Sequence, residues 1–546
     1  MHMRRIVWFS LILIWLLFPR STGAVVDPRQ SPNNRFGIHI LETGDLPTAA
    51  QLVNSNNGDW GYVTLVIRFN DLNRAKWQAI FDEMRRRHLI PIVRLATVAE
   101  GASWAKPKTE DSAHWVEFLN SLNWVIQNRY VILFNEPNHA QEWGNELKPN
   151  EYAVIAKEFQ AKLKAASADF FILPAGLDTA APNSKETMTA TEYWRQMALA
   201  VPEIFTRFDG WNSHSYPNPA FSGPVSSTGL GSIRSYQAEI NSLARFGLPT
   251  NLPIFITETG WVNTAGDLSR LYTQAFTQVW QQSNIVAVTP FVLNYPQAPF
   301  SQFSWQKADG GGLPHYQAVA ALDKIAGRPE QIQASELIDQ NFPDEVVAVS
   351  DYHFWLEFTN TGQSIWQREN YNLQVSGNLP EDSWFAGHVN NTEPGQSARI
   401  DFNLKTPASG QPIDLKLQLA FGSQPFGAVV EKTINVVPPP TVIISSRRLY
   451  KVPADNDQYR LLFYDVENRL LQEINQENFG RFEPIELYNV VPGENYRLVL
   501  VKPFYLPRQT WIELAKGENQ VNFKLLLPVD FNNDGRLSLA DLWAWV

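Results

Sequence analysis

From Phe36 to about Gly327 the chain alternates between two periodicities. Short apolar runs rich in β-branched residues come first, and longer amphipathic stretches follow. The runs are FGIHI, YVTLVIRF, IPIVRLA, YVILFNEP, FFILPAG, GWNSHSYP, PIFITETGW and AVTPFVLNY. Between them lie stretches such as LNRAKWQAIFDEMRRRHL, where Trp77, Ile80, Phe81, Met84 and His88 fall on one face at helical spacing. Eight strands alternating with helices predict an α/β fold, a (β/α)8 TIM barrel spanning residues 30–330. A doubly wound sheet is the runner-up, disfavoured because the first turn is not glycine-rich.

After AGRPE the helical period stops. Residues 336–437 carry short alternating runs separated by turn residues, such as VVAVSDYHFWLEFTN, ARIDFNL and LKLQLAF. This pattern predicts a β-sandwich. VVPPPTVI is a stiff linker. A second all-β unit is expected over 441–528, and residues 529–546 differ again. At the other end, MHMRR and a 13-residue apolar core precede PRSTGA, the pattern of a signal peptide over residues 1–24. The expected location is therefore outside the cell.

Composition narrows the chemistry. The net charge of -10, without a basic block, argues against nucleic acid as a partner. The absence of cysteine excludes disulfides, thiolate zinc sites and cysteine nucleophiles, and for an exported protein it favours a bacterial source. The 19 Trp, 17 Tyr and 32 Phe serve large cores or stacking platforms, and composition alone favours cores.

Two carboxylates stand out. Glu136 ends the fourth predicted strand, in VILFNEP, and Glu258 ends the seventh, in PIFITETGW. Residues at the C-terminal strand ends of such a barrel converge on one pocket, and strands four and seven face each other across it. Two facing carboxylates are what glycosidic cleavage needs. No His/Asp cluster in the barrel has metal-ligand spacing, so metal-dependent hydrolysis is disfavoured.

Asn-Glu-Pro at strand four, a Glu at strand seven and His-Ser-Tyr at strand six together resemble the clan A retaining glycoside hydrolases. The resemblance covers the barrel, about half of the chain. It implies that Glu136 is the acid/base and Glu258 the nucleophile, acting without a cofactor on a β-linked carbohydrate. It implies that Asn135 hydrogen-bonds the sugar 2-hydroxyl, that His214 and Tyr216 belong to the pocket with Tyr216 orienting Glu258, and that Trp305 is the stacking floor. Arg68 and Arg94 compete for the cationic contact to the nucleophile, with Arg94 favoured because it closes its apolar run more cleanly. His39 and Tyr295 are weaker pocket candidates, and Trp143 and Trp261 rank with Tyr295. The rival expectation is an exported carbohydrate-binding or adhesion protein with an inactive barrel.

The tail answers to other chemistry. DFNNDGRLSLAD places Asp530, Asn532 and Asp534 at alternating positions, Gly535 at the turn, Arg536 by its carbonyl, and Asp541 last. Alternating oxygen ligands of this kind wrap a calcium ion in an EF-hand-like loop. An Asp in the last position resembles the dockerin variant. One such repeat is read here where a dockerin has two, so a cohesin-like partner is the weaker expectation. FWLEFTNTGQSIWQRENYNL is similar to an immunoglobulin-like domain, and residues 441–528 resemble transthyretin-like or carboxypeptidase-regulatory-like sandwiches. Both are read as spacers.

Overall fold

The computed structural model describes residues 25–307, 309–408, 410–478 and 483–545. The export signal expected over residues 1–24 lies outside the described residues. Among these residues no helix is long and apolar enough to cross a membrane. The chain divides into two compact units between Ile332 and Gln333.

The first unit contains eight parallel strands: β1 (Gly37–His39), β2 (Gly61–Arg68), β3 (Leu89–Ala96), β4 (Arg129–Leu133), β5 (Phe170–Pro174), β6 (Trp211–His214), β7 (Ile254–Glu258) and β8 (Ile285–Val288). Helices follow them in turn: α1 (Leu46–Val53), α2 (Arg74–Arg86), α3 (Asp111–Ser121), α4 (Pro149–Ala166), α5 (Ala190–Ala200), α6 (Ser235–Leu243), α7 (Leu268–Gln274) and α8 (Pro314–Ala320). Strands β1 to β5 pair in sequence order in one sheet, and β6 to β8 in another. Parallel bridges Asp178–His214 and Phe36–Val288 join the sheets at both seams, so the strands run round a ring.

Helices cover the ring outside and side chains fill it inside. The strands are therefore buried almost end to end, which is why they read as continuous apolar runs. Tyr62, Tyr130, Phe171 and Phe255, each second in its strand, pack ring against ring with centroids 5.0 to 6.5 Å apart. Further along, the interior turns polar. Thr64 and Thr289 share a hydrogen bond of 2.8 Å, and Thr257 donates to Asn212 at 2.6 Å. That polar layer is the base of the site.

Helix α2 departs from expectation in detail. Asn73 caps it by accepting from the Lys76 N–H, and Trp77, Phe81 and Met84 are buried. Arg85 is buried with them, because Asp82 and the Asn123 and Trp124 backbone receive its guanidinium. His88 lies beyond the helix at φ 51°, stacked on Trp60, rather than on the helical face.

The second unit has strands of strict alternation, such as Ser397–Lys405 with every second residue buried. Two four-stranded antiparallel-rich sheets enclose one core that includes Phe354, Trp366, Phe402 and Leu417. Three- and four-stranded sheets enclose a second core around Tyr459, Phe463, Leu498 and Tyr505. The tail bridges back to this second part through Phe504 and Asp530, before a last helix, Leu539–Trp545.

Candidate active site

Glu258 is the last residue of β7, but Glu136 lies beyond β4, which stops at Leu133. The chain turns sharply between them. Phe134 and Glu136 adopt left-handed φ values of 71° and 26°, each costing about 1–3 kcal/mol. The Phe134 ring is held between Trp143 and Phe159, and the Glu136 N–H donates to the Gly176 carbonyl at 3.2 Å. The strained turn directs the Glu136 carboxylate to His214 instead of letting the strand carry it on.

One oxygen from each of Glu136 and Glu258 and a ring nitrogen of His214 lie within 4.8 Å of one another. His214 Nδ1 is 2.7 Å from Glu136 Oε1 and 3.7 Å from Glu258 Oε2. Arg94 Nη1 donates to Glu258 Oε1 at 2.5 Å and to Asn135 Oδ1 at 2.6 Å. The Tyr216 hydroxyl donates to Glu258 Oε2 at 3.0 Å. His39 Nδ1 stands 3.7 Å from Glu258 Oε1. Both ring nitrogens of His39 are buried without a protein hydrogen-bond partner, an arrangement that asks for a ligand or water.

The position of His214 depends on a glycine. A Cβ at Gly176 would sit 2.1 Å from the imidazole Cδ2, so any larger residue would expel the ring.

The electrostatics separate the groups. Burial alone would raise Glu258, but the charges of His214 and Arg94 and the Tyr216 hydrogen bond outweigh it, holding the carboxyl well below its usual range. For His214, burial is outweighed by Glu258 and Glu136, and the imidazole is raised. For His39, burial wins, lowering it to about 3 and leaving it neutral.

Arg94 and Arg68 resolve differently from a tie. Arg94 reaches the nucleophile candidate, whereas Arg68 is exposed, over the Trp104 ring at 5.6 Å. Arg68 is thus corrected out of the site, because it ends β2 with its guanidinium over the Trp104 ring. Trp305 is also corrected. It is fully buried, packed against Tyr272 and His315, and so offers no exposed stacking face. Trp143 and Trp261 are likewise fully buried. Tyr295 is half-buried against Phe300.

Three features were missed in the sequence. Phe291 lies edge-on to His39 at 5.1 Å. His139 pairs with Asp178 at 3.0 Å; burial opposes its protonation, yet the Asp178 hydrogen bond raises it. Glu142 is a third carboxylate; burial, then the charge of Glu136, pushes it up to about 7. The only signal for it was a second acid in the Glu136 loop.

No protein-family description and no curated relative matches the chain. Solved structures resemble it at low identity. Two endo-β-1,4-glucanases of Xanthomonas axonopodis pv. citri are each 14% identical. One, a triple mutant, covers 52% of this chain and 98% of its own with TM-score 0.38. The other covers 52% and 97% with TM-score 0.37. An endo-1,4-β-mannanase of Eisenia fetida is 10% identical over 50% of this chain and 87% of its own, with TM-score 0.29.

Proposed function

We propose that the protein is a glycoside hydrolase that cleaves β-linked sugars with retention. The observation that carries this reading is the pair Glu136 and Glu258, with oxygens within 4.8 Å across His214. Retaining enzymes hold their carboxyl groups about 5–5.5 Å apart, and inverting enzymes leave room for a water. Glu258, kept ionised by His214, Arg94 and Tyr216, attacks the anomeric carbon while Glu136 gives its proton to the leaving oxygen. Glu136, now a carboxylate, then takes a proton from water, which attacks the glycosyl-enzyme and frees Glu258. Asn135 and the unpartnered His39 are available to sugar hydroxyls, and Phe291 offers an apolar wall.

The test is release of new reducing ends from β-glucans, xylan, mannan and galactans by the full chain. Glu258→Gln is expected to abolish release, with a loss of several orders of magnitude. On an aryl β-glycoside whose leaving group departs without protonation, Glu136→Ala is expected to recover turnover in azide and yield a β-glycosyl azide, since a small anion attacks the glycosyl-enzyme without a general base. Unchanged activity in Glu258→Gln would overturn the reading.

For the tail, we propose a calcium site. Carboxylate oxygens of Asp530, Asp534 and Asp541 lie within 4.8 Å of one another, and Asp530 Oδ1 is buried without a partner. Burial raises the Asp530 carboxyl, as befits an anion awaiting a cation. Gly535, at φ 78°, makes the turn. Asn532 now hydrogen-bonds Asp534, and with the Arg536 carbonyl it completes an all-oxygen donor set suited to a hard ion.

A further inference from the structure

Next to the two carboxylates stands a polar pair that neither half of the double displacement uses. His139 Nε2 lies 3.0 Å from Asp178 Oδ2. A carboxylate only accepts, so Nε2 carries the hydrogen and the orientation of the ring is set. His139 Nδ1 has no partner among the described residues. The two side chains are 23% and 30% exposed, while Asn138 and His214 beside them are buried. The open side of the pair therefore faces the mouth of the barrel.

The loops after β4 and β5 are tied together under this pair. Asn138 Nδ2 donates to the Asp178 and Met188 carbonyls at 2.9 and 3.0 Å, and its Oδ1 accepts from the Asp178 N–H at 3.2 Å. The His139 N–H donates to the Glu136 carbonyl at 2.9 Å. Asp178 bridges to His214, whose ring touches Glu136. The pair is thus a fixed neighbour of Glu136, reached through backbone on both sides.

We propose that His139 and Asp178 form the subsite of the leaving sugar, with His139 Nδ1 and the Asp178 carboxylate taking hydroxyls of the ring that departs with the Glu136 proton. The inference rests on the glycosidase reading, and the order of strands carries it. Arg94 on β3 and His39 on β1 approach Glu258, and Phe291 beyond β8 packs on His39. The sugar that Glu258 attacks is therefore held over the arc β8, β1 and β3. His139 and Asp178 stand over the opposite arc, between β4 and β6, where the leaving sugar comes to lie. A hydroxyl both donates and accepts, so it satisfies Nδ1 in either charge state of the imidazole. An aglycone without hydroxyls finds nothing there to grip.

The experiment compares the full chain with His139→Ala and Asp178→Ala on cellotetraose, xylotetraose and mannotetraose, and on the phenyl β-glycosides of cellobiose, xylobiose and mannobiose. Phenol is a poor enough leaving group to need the Glu136 proton, but it brings no sugar hydroxyls. On the tetrasaccharide that the wild type cleaves, His139→Ala is expected to lower kcat/KM about tenfold, the worth of one hydrogen bond. On the phenyl glycoside of the same sugar it is expected to stay within about twofold of wild type. Asp178→Ala, which frees the imidazole to turn, is expected to show the same selective loss, and it keeps the test open if His139→Ala does not fold. Equal losses on both substrates would mean that the pair acts through Glu136, and that result, or no loss on either, would overturn the subsite while leaving the glycosidase reading intact. A chain that cleaves a phenyl glycoside but no tetrasaccharide would overturn it as well. If the wild type turns over none of the six, the glycosidase reading fails and the inference goes with it.

Discussion

Arg94 contacts two groups through one nitrogen. It neutralises Glu258 and at the same time fixes the oxygen of Asn135. The sign of its effect on pH dependence follows. In the proposed mechanism Glu258 must be ionised to attack, and its depressed carboxyl keeps it so well into acid. Removing the guanidinium raises the Glu258 carboxyl, so activity is lost at a higher pH as the solution is acidified. Arg94→Met is expected to move the acid limb of kcat/KM upward by about one unit or more and to lower its plateau about 10²–10³-fold. Arg68→Met, whose guanidinium lies over Trp104, is expected to change neither. A pH profile of both variants decides it, and an unmoved acid limb in Arg94→Met would assign the low Glu258 carboxyl to His214 instead.

At the scale of elements, β6 and α6 form one device. The strand delivers His214 to the carboxylates, and its other side chains tie it to the helix behind. Glu239 on α6 accepts from Trp211 Nε1 and from Ser213 Oγ, each at 2.6 Å, with all three residues buried. Burial pushes Glu239 up to about 7, against the pull of those two hydrogen bonds. In the unfolded chain the same group titrates near 4.5. Between these values the folded state holds a proton that the unfolded state has released, so stability falls as pH rises through this window and levels above it. The full span is on the order of 3 kcal/mol. Glu239→Gln, neutral at every pH, is expected to match wild type near pH 4 and to exceed it at pH 8. Denaturant unfolding at the two pH values measures the difference, and a constant difference would show that Glu239 stays ionised in the fold.

At the scale of the molecule, the acidic chain carries its excess charge without concentrating it in one run, except at the tail. There Asp530 and Asp541 are buried close to each other and to Asp534, which costs stability unless a cation joins them. Calcium is expected to raise the thermal midpoint of the second unit, by about 2.7 kcal/mol of stabilisation at a hundredfold excess over its dissociation constant. Chelation is expected to reverse this, and Asp530→Asn to abolish it. Calorimetry with and without calcium is the measurement, and an indifferent midpoint would leave the loop as an acidic turn.

The sequence by itself determined the elements and singled out two acids at the ends of apolar runs. Strands buried on both faces must be apolar throughout, so their alternation with amphipathic helices was legible, and so were the acids that follow two of the apolar runs. The second unit announced itself because half-buried strands must alternate. Tertiary structure alone decided which groups meet. Arg68 and Arg94 both lie late in apolar runs, yet only Arg94 reaches Glu258. Trp305 read as a platform, yet it is fully buried against Tyr272 and His315. The left-handed turn at Phe134 and Glu136 was invisible because strain is sustained only by the packing around it. Period is written along the chain, and proximity across strands is created only when the ring closes.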